Sequence, residues 1–205
     1  MSRLAVGVLA SGAGTNLQAV IDTVHGRGEV EVAGVAGNRG DAPALQRARA
    51  AGIESQAFEL DAYGDRTARD LAMAEWMQAR GVGLVVLAGY MQLLGPEFLA
   101  RFPGAVINVH PALLPAFRGL GAIEQALLHG TKVFGVTVHF VDEGVDSGPI
   151  ILQRAIELPD ARDVQAVHDR LRPLEHELLP EAIRLFARGA LSFDPDNPRR
   201  VIIDR

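Results

Sequence analysis

The chain has 205 residues, enough for one domain with a full core, or for one domain with a small appendage. Its 25 acidic residues outnumber 20 basic ones, and the formal charge of −5 at pH 7 argues against general polyanion binding, so no nucleic-acid partner is expected. It has no cysteine, which excludes disulfides and thiolate chemistry and leaves only His and carboxylates for any metal.

The opening MSRLAVGVLASGAG has one Arg followed by apolar residues, but Gly12 and Gly14 break the run at strand length. No segment reaches membrane-spanning length, so a cytoplasmic protein without a membrane partner is the expectation. LAVGVLA (4–10) predicts a buried parallel strand, followed by a glycine-rich turn and a helix over NLQAVIDTVH (16–25). VEVAGVA (30–36) is a second strand, PALQRARAAG (43–52) a helix starting near Pro43 and stopped by Gly52, and SQAFEL (55–60) a short third strand. DRTARDLAMAEWMQARG (65–81) predicts a helix through Leu71, Ala74, Trp76, Met77 and Ala79. VGLVVLAG (82–89), PEFLARF (96–102) and AVINVH (105–110) then read as strand, short helix and strand.

Past residue 110 the rhythm changes. GAIEQALLHG (121–130) is a helix, while VFGVTVHFV and PIILQRAIEL read as longer strands joined by DEGVDSG, as in an antiparallel pair. Residues 161–189 form a long helical stretch expected to be interrupted or kinked near Pro173 and Pro180. The tail LSFDPDNPRRVIIDR is read as a small hairpin. The expected fold is α/β and three-layered, a Rossmann-like mixed sheet with a mostly parallel N-terminal half.

SGAGTN, Ser11 to Asn16, follows the first strand. Its glycines permit a tight turn, and the next helix offers unpaired N–H groups to an anion. A dinucleotide fingerprint would have a third glycine where Asn16 stands, and an acid where the second strand instead runs into Asn38 and Arg39. No Lys follows the glycines as in a Walker loop. A phosphate monoester, a dinucleotide, or a turn with no ligand all remain open readings.

Asn108 and His110 end the fifth strand on one side, because strand side chains repeat every two residues. A histidine exchanges protons near neutral pH, and an amide stabilises an oxygen on which charge develops. HFVDEGVDSGPII holds Asp142, Glu143 and Asp146 between apolar strands, with Gly144, Gly148 and Pro149 shaping the loop. A carboxylate beside an imidazole fixes its tautomer; Asp146 is the preferred partner for His110, with Asp142 the alternative. No metal motif is present, since HExxH is absent and His168 and His176 lie in a helical stretch.

SGAGTNLQAVID, LAGYMQLLGPEFL leading into INVHPALLP, and GVTVHFVDEGVDSGPIILQ together resemble the phosphoribosylglycinamide formyltransferases, folate-dependent enzymes of purine synthesis. The resemblance runs from the first strand to about the end of the long helical region. It implies one formyltransferase domain over 1–205, with a phosphate-binding half over 1–110 and a folate-site and C-terminal helical half over 111–205. It also implies an Asn-His-Asp trio at Asn108, His110 and Asp146, and phosphate binding by Gly14, Thr15 and Asn16. A ribose-contacting Glu falls on Glu175, where a solvated helix face is the plain alternative. The co-substrate implied is 10-formyltetrahydrofolate, with Arg66, Met91, Gln92, Leu93, Leu94, Asn108, Val141, Asp142 and Asp146 about it. The partners implied are glycinamide ribonucleotide and folate small molecules, with a monomer or homodimer as the assembly.

Many relatives read PGLHA or PGLHT where this chain has RGLGA, with Arg118 in place of Pro and Gly121 in place of His. Arg118-Gly119 is similar to the corresponding loop of methionyl-tRNA formyltransferases, so that acceptor is the alternative. The absence of their additional C-terminal domain and the −5 charge favour the small acceptor. Hydrolases of the same folate resemble this domain but carry an additional N-terminal regulatory domain. A non-catalytic phosphate sensor is a further alternative, and the intact Asn108, His110 and Asp146 pattern speaks against it.

Overall fold

A computed structural model describes residues 3–204 of the chain. These divide between Ile107 and Asn108 into two compact units, and the fold is α/β, with parallel strand pairing in the first and antiparallel pairing in the second, as expected.

The first unit contains β1 (Leu4–Ala10), α1 (Thr15–Thr23), β2 (Val30–Gly37), α2 (Pro43–Ala50) and β3 (Ser55–Ala57). A 3₁₀ turn follows at Leu60–Ala62, then α3 (Arg66–Gln78), β4 (Leu84–Leu87) and α4 (Pro96–Leu99). The strands lie in the order β3-β2-β1-β4 with every pairing parallel. Val6, Val8, Leu9, Val35, Leu84, Val85 and Val86 are all fully buried, so these strands carry no polar alternation, as a parallel sheet covered on both faces requires. The third strand ends at Ala57 because Phe58 turns into the core, against the rings of Tyr63 and Trp76. α3 also departs from its expected face: Arg69, Asp70, Met73, Ala74 and Met77 are the buried positions, while Leu71 is only half-buried and Ala79 caps the end. The apolar count misplaced the stripe because two charged residues, Arg69 and Asp70, form part of it.

β5 (Val106–His110) begins in the first unit and ends in the second. The second unit continues with α5 (Ala122–Leu128), β6 (Val133–Phe140), β7 (Ile150–Glu157), α6 (Val164–Ala187), β8 (Leu191–Asp194) and β9 (Asn197–Ile203). β6 and β7 pair antiparallel, β9 adds to β7 in parallel, and β8 folds back on β9 as the expected hairpin. The long helix runs without interruption through Pro173 and Pro180. Each proline inside a helix costs about 3 kcal/mol. Burial of Leu171, Leu178, Leu179 and Ile183, all at most 1% exposed, returns ~1.5–3 kcal/mol apiece, and α6 stays helical where it packs on β6 and β7. Among the described residues, no helix is long and apolar enough to cross a membrane.

Candidate active site

β5 delivers Asn108 and His110 to one side at its C-terminal end, with His110 5% exposed. β6 repeats the device: Thr137 and His139 lie two apart in a strand otherwise buried and apolar from Phe134 to Phe140, and both are at most 1% exposed. The loop from Val141 to Pro149 closes with the Phe140 N–H donating to the Pro149 carbonyl at 2.8 Å. A Cβ on Gly148 would sit 1.8 Å from the Phe140 carbonyl oxygen, so only glycine allows this closure. Asp142 caps the loop from within, accepting from the Gly144 N–H at 3.1 Å and the Ser147 hydroxyl at 2.6 Å. Asp146 faces the histidines instead, on a backbone with φ of 45°, a left-handed conformation that costs a non-glycine residue on the order of 1–3 kcal/mol.

Asp146 is the hub of the polar cluster. Its Oδ2 lies 3.4 Å from His110 Nδ1 and accepts from the Gly119 N–H at 2.8 Å. Its Oδ1 accepts from Asn108 Nδ2 at 3.2 Å and lies 3.5 Å from His139 Nε2. His139 Nδ1 is 2.7 Å from the Phe140 carbonyl oxygen, which can only accept, so that nitrogen carries its proton. In the neutral ring Nε2 is then left to accept from Asn108 Nδ2, 3.3 Å away. The Asn108 amide is thus oriented by two partners. His110 Nε2 lies 2.8 Å from the Phe117 carbonyl oxygen, so both of its ring nitrogens face oxygen acceptors, an arrangement the imidazolium satisfies with two N–H donors.

Burial pushes the Asp146 carboxyl up, but the neighbouring His139 imidazole, the charge of His110 and the Gly119 N–H outweigh it and bring it down to about 2. The fall from 3.8 to about 2 corresponds to on the order of 2 kcal/mol of folding stability. Because the folded value is depressed, this contribution is complete above the unfolded value near 4 and disappears as pH falls through about 2. Urea denaturation of the protein and of Asp146→Asn checks it: the stability difference between them should shrink over that window, and a difference independent of pH would contradict the ionised reading.

The loop after β5 is pinned to β6. The Thr137 hydroxyl donates to the Ala112 carbonyl at 2.6 Å and accepts from the Leu114 N–H at 3.1 Å. Gln153 of β7 adds its amide, donating to the Leu114 carbonyl at 2.9 Å and to the Thr137 hydroxyl at 3.0 Å. This holds Pro111–Pro115, whose Leu114–Pro115 bond is cis, ahead of Phe117 at φ 55°. His139, Thr137 and Gln153 escaped the sequence reading, although the polar pair two apart in an apolar strand is the same signal that singled out Asn108 and His110. Arg118 is exposed, and Gly121 occupies a left-handed cap at φ 69° before α5. Glu175 is 4% exposed and lies with Leu171, Leu178 and Leu179 on the packed face of α6, which corrects the solvated-face alternative.

In the first unit, Gly14 caps α1 at φ 72° and offers no side chain to the first-turn amides of Thr15 and Asn16. A Cβ there would sit 2.7 Å from the Ala44 Cα, so contact and conformation both demand glycine. Arg47 of α2 braces the turn, donating to the Ala13 carbonyl at 2.8 Å. The Ser11 hydroxyl accepts from the Met91 N–H at 2.9 Å. Met91 and Leu93 are 61% and 55% exposed, while Gln92 and Leu94 are half-buried. Arg66 donates to the Leu93 carbonyl.

A family model described as Formyl transferase matches residues 4–183. The chain is 40% identical over 178 residues to the phosphoribosylglycinamide formyltransferase of Bacillus subtilis, covering 86% of this chain and 91% of that protein. It is 39% identical over 187 residues to the phosphoribosylglycinamide formyltransferase of Haemophilus influenzae, covering 91% of this chain and 88% of the other. Its fold is similar to the crystal structure of glycinamide ribonucleotide transformylase 1 from Symbiobacterium toebii, with a TM-score of 0.94, 50% identity, and coverage of 99% and 95% of the two chains.

Proposed function

Because this chain belongs to the phosphoribosylglycinamide formyltransferase family, we propose a division of labour among its residues for the family's reaction, formyl transfer from 10-formyltetrahydrofolate to the amine of phosphoribosylglycinamide in purine synthesis. The observation that carries it is the Asn108-His110-Asp146 cluster, with the carboxylate 3.4 Å from the imidazole.

The neutral amine attacks the formyl carbon, forming a C–N bond and leaving negative charge on the formyl oxygen. His110 supplies the N–H that meets this oxyanion. Its Nε2 proton is shared with the Phe117 carbonyl beforehand, and a full negative charge is the stronger acceptor. Asp146, 3.4 Å from Nδ1, faces the other ring nitrogen and fixes the orientation in which Nε2 is presented. Asn108 contributes its amide, whose nitrogen must give up one of its two partners to meet the oxyanion; the 3.3 Å contact to His139 is the longer. A proton then passes from the attached amine to the folate nitrogen, directly or through water. The carbon–nitrogen bond to the folate breaks, and the formyl carbonyl re-forms on the acceptor.

Binding falls to other residues. The phosphate monoester goes to the turn at Gly14, Thr15 and Asn16, where the positive end of α1 favours an anion. A Cβ on Gly12 would meet nothing within 4 Å, so the space beside the turn is open. Glu175 takes ribose hydroxyls. The folate takes Arg66, the exposed loop Met91–Leu94 and the segment Val141–Asp146. A positioned acid or base accounts for ~10²–10⁴-fold of the rate, and holding two substrates together supplies the remainder.

An assay of the purified protein with 10-formyltetrahydrofolate, offering phosphoribosylglycinamide, initiator methionyl-tRNA or water, tests the acceptor. Product should form efficiently with the ribonucleotide alone. Formylation of the tRNA without ribonucleotide product would transfer the assignment to the acceptor hinted at by Arg118-Gly119, and formate release without either acceptor would make the protein a hydrolase.

A further inference from the structure

Near its start, α3 buries two opposite charges that the reaction does not use. Arg69 is 1% exposed and Asp70 0%, a costly placement unless every polar atom is answered. The answers come from one loop. Asp70 Oδ1 accepts from Arg69 Nε at 3.0 Å and Nη2 at 2.6 Å, and its Oδ2 accepts from the Gly95 N–H at 2.8 Å. Arg69 Nη1 reaches forward to the Gln92 side-chain oxygen. Arg66, one turn earlier, lies 3.8 Å from Asp70 Oδ2 and donates to the Leu93 carbonyl. Gln92, Leu93 and Gly95 are therefore each tied to the same helical turn. That turn is itself fixed, since Asp65 caps α3 by accepting from the Ala68 N–H at 2.8 Å.

A buried ion pair is weak evidence for stability, because a well-packed apolar pair does as well. What an apolar pair does not do is hold a neighbouring loop by its backbone N–H and a side-chain amide. The loop held here is the one that leaves Met91 and Leu93 exposed to solvent, an apolar surface shaped in advance, and pre-shaping spares a ligand the entropy of ordering it.

We propose that Arg69 and Asp70 are positioning residues that hold the loop Gln92–Gly95 in its folate-binding shape, so that this buried pair sets affinity for the folate co-substrate without touching it. The proposal rests on the reading of Met91–Leu94 as folate-binding. Arg69→Met removes the Gln92 tie and takes both donors from Asp70 Oδ1, leaving that carboxylate the Gly95 N–H and Arg66 at 3.8 Å, so this variant also loses stability. Arg69→Met/Asp70→Leu removes both charges and both ties.

Steady-state kinetics varying each substrate in turn, with melting temperatures, test the pair of variants. The KM for 10-formyltetrahydrofolate should rise about tenfold in the double variant and less in the single, the scale of one lost charge-assisted hydrogen bond. The KM for phosphoribosylglycinamide and kcat should change by less than about twofold. A folded Arg69→Met/Asp70→Leu with an unchanged folate KM, or with equal changes in both KM values, would overturn the proposal. Leu93→Ala separates the two layers of the argument. A raised folate KM there, with none in the Arg69 and Asp70 variants, rejects only the positioning role, while no change in Leu93→Ala rejects the folate reading of the loop.

Discussion

His110→Ala should slow single-turnover formyl transfer by ~10²–10⁴-fold, the usual worth of a positioned proton donor, while the fold and most of the affinity for both substrates persist. The imidazole is 5% exposed and sits at the end of β5, where its two nitrogens meet Asp146 and the Phe117 carbonyl. None of the residues proposed to bind phosphate, ribose or the apolar part of the folate depends on it. Loss of substrate affinity in parallel with rate, measured by equilibrium titration, would recast His110 as a binding residue.

Asp146→Asn should be nearly as damaging, on the order of 10²–10³-fold, although the side chain keeps its size. The carboxylate accepts from Gly119 and Asn108 and faces two imidazoles. An amide retains an oxygen for one of these but turns an N–H donor toward another donor. The carboxylate oxygen that faces His110 Nδ1 at 3.4 Å is no longer assured. Single-turnover transfer by the folded variant is the check, and a rate within a few-fold of the unsubstituted protein's would leave the carboxylate a role in the loop's shape alone.

Much of this arrangement is legible in the residue order, because burial and polarity conflict visibly there. LAVGVLA and VGLVVLAG announce covered parallel strands by having no polar alternation. Asn108 and His110 stand out because two polar side chains two apart close an apolar strand. His139 carries the same signature beside Thr137, but it lies inside its strand, where a polar residue reads as a packed one until its partners are known. The choice of Asp146 over Asp142 as the carboxylate facing His110 depends on loop conformation, which the left-handed backbone at Asp146 and the close approach at Gly148 decide. Periodicity failed for α3, since it ranks apolar residues only and Arg69 and Asp70 are buried through their partners in a distant loop. It also underestimated α6, whose packing carries the helix through Pro173 and Pro180.

The central claim, that His110 and Asp146 act as one unit in formyl transfer, is tested most directly by a double-mutant cycle. Single-turnover rates at saturating substrates would be taken for the protein, His110→Ala, Asp146→Asn and the double variant, with circular dichroism confirming each fold. Groups that act through one another are non-additive, so the double variant should be little slower than His110→Ala alone. Losses that multiply cleanly would contradict the coupled pair and return Asp146, despite its 3.4 Å approach to the imidazole, to a role in holding the loop.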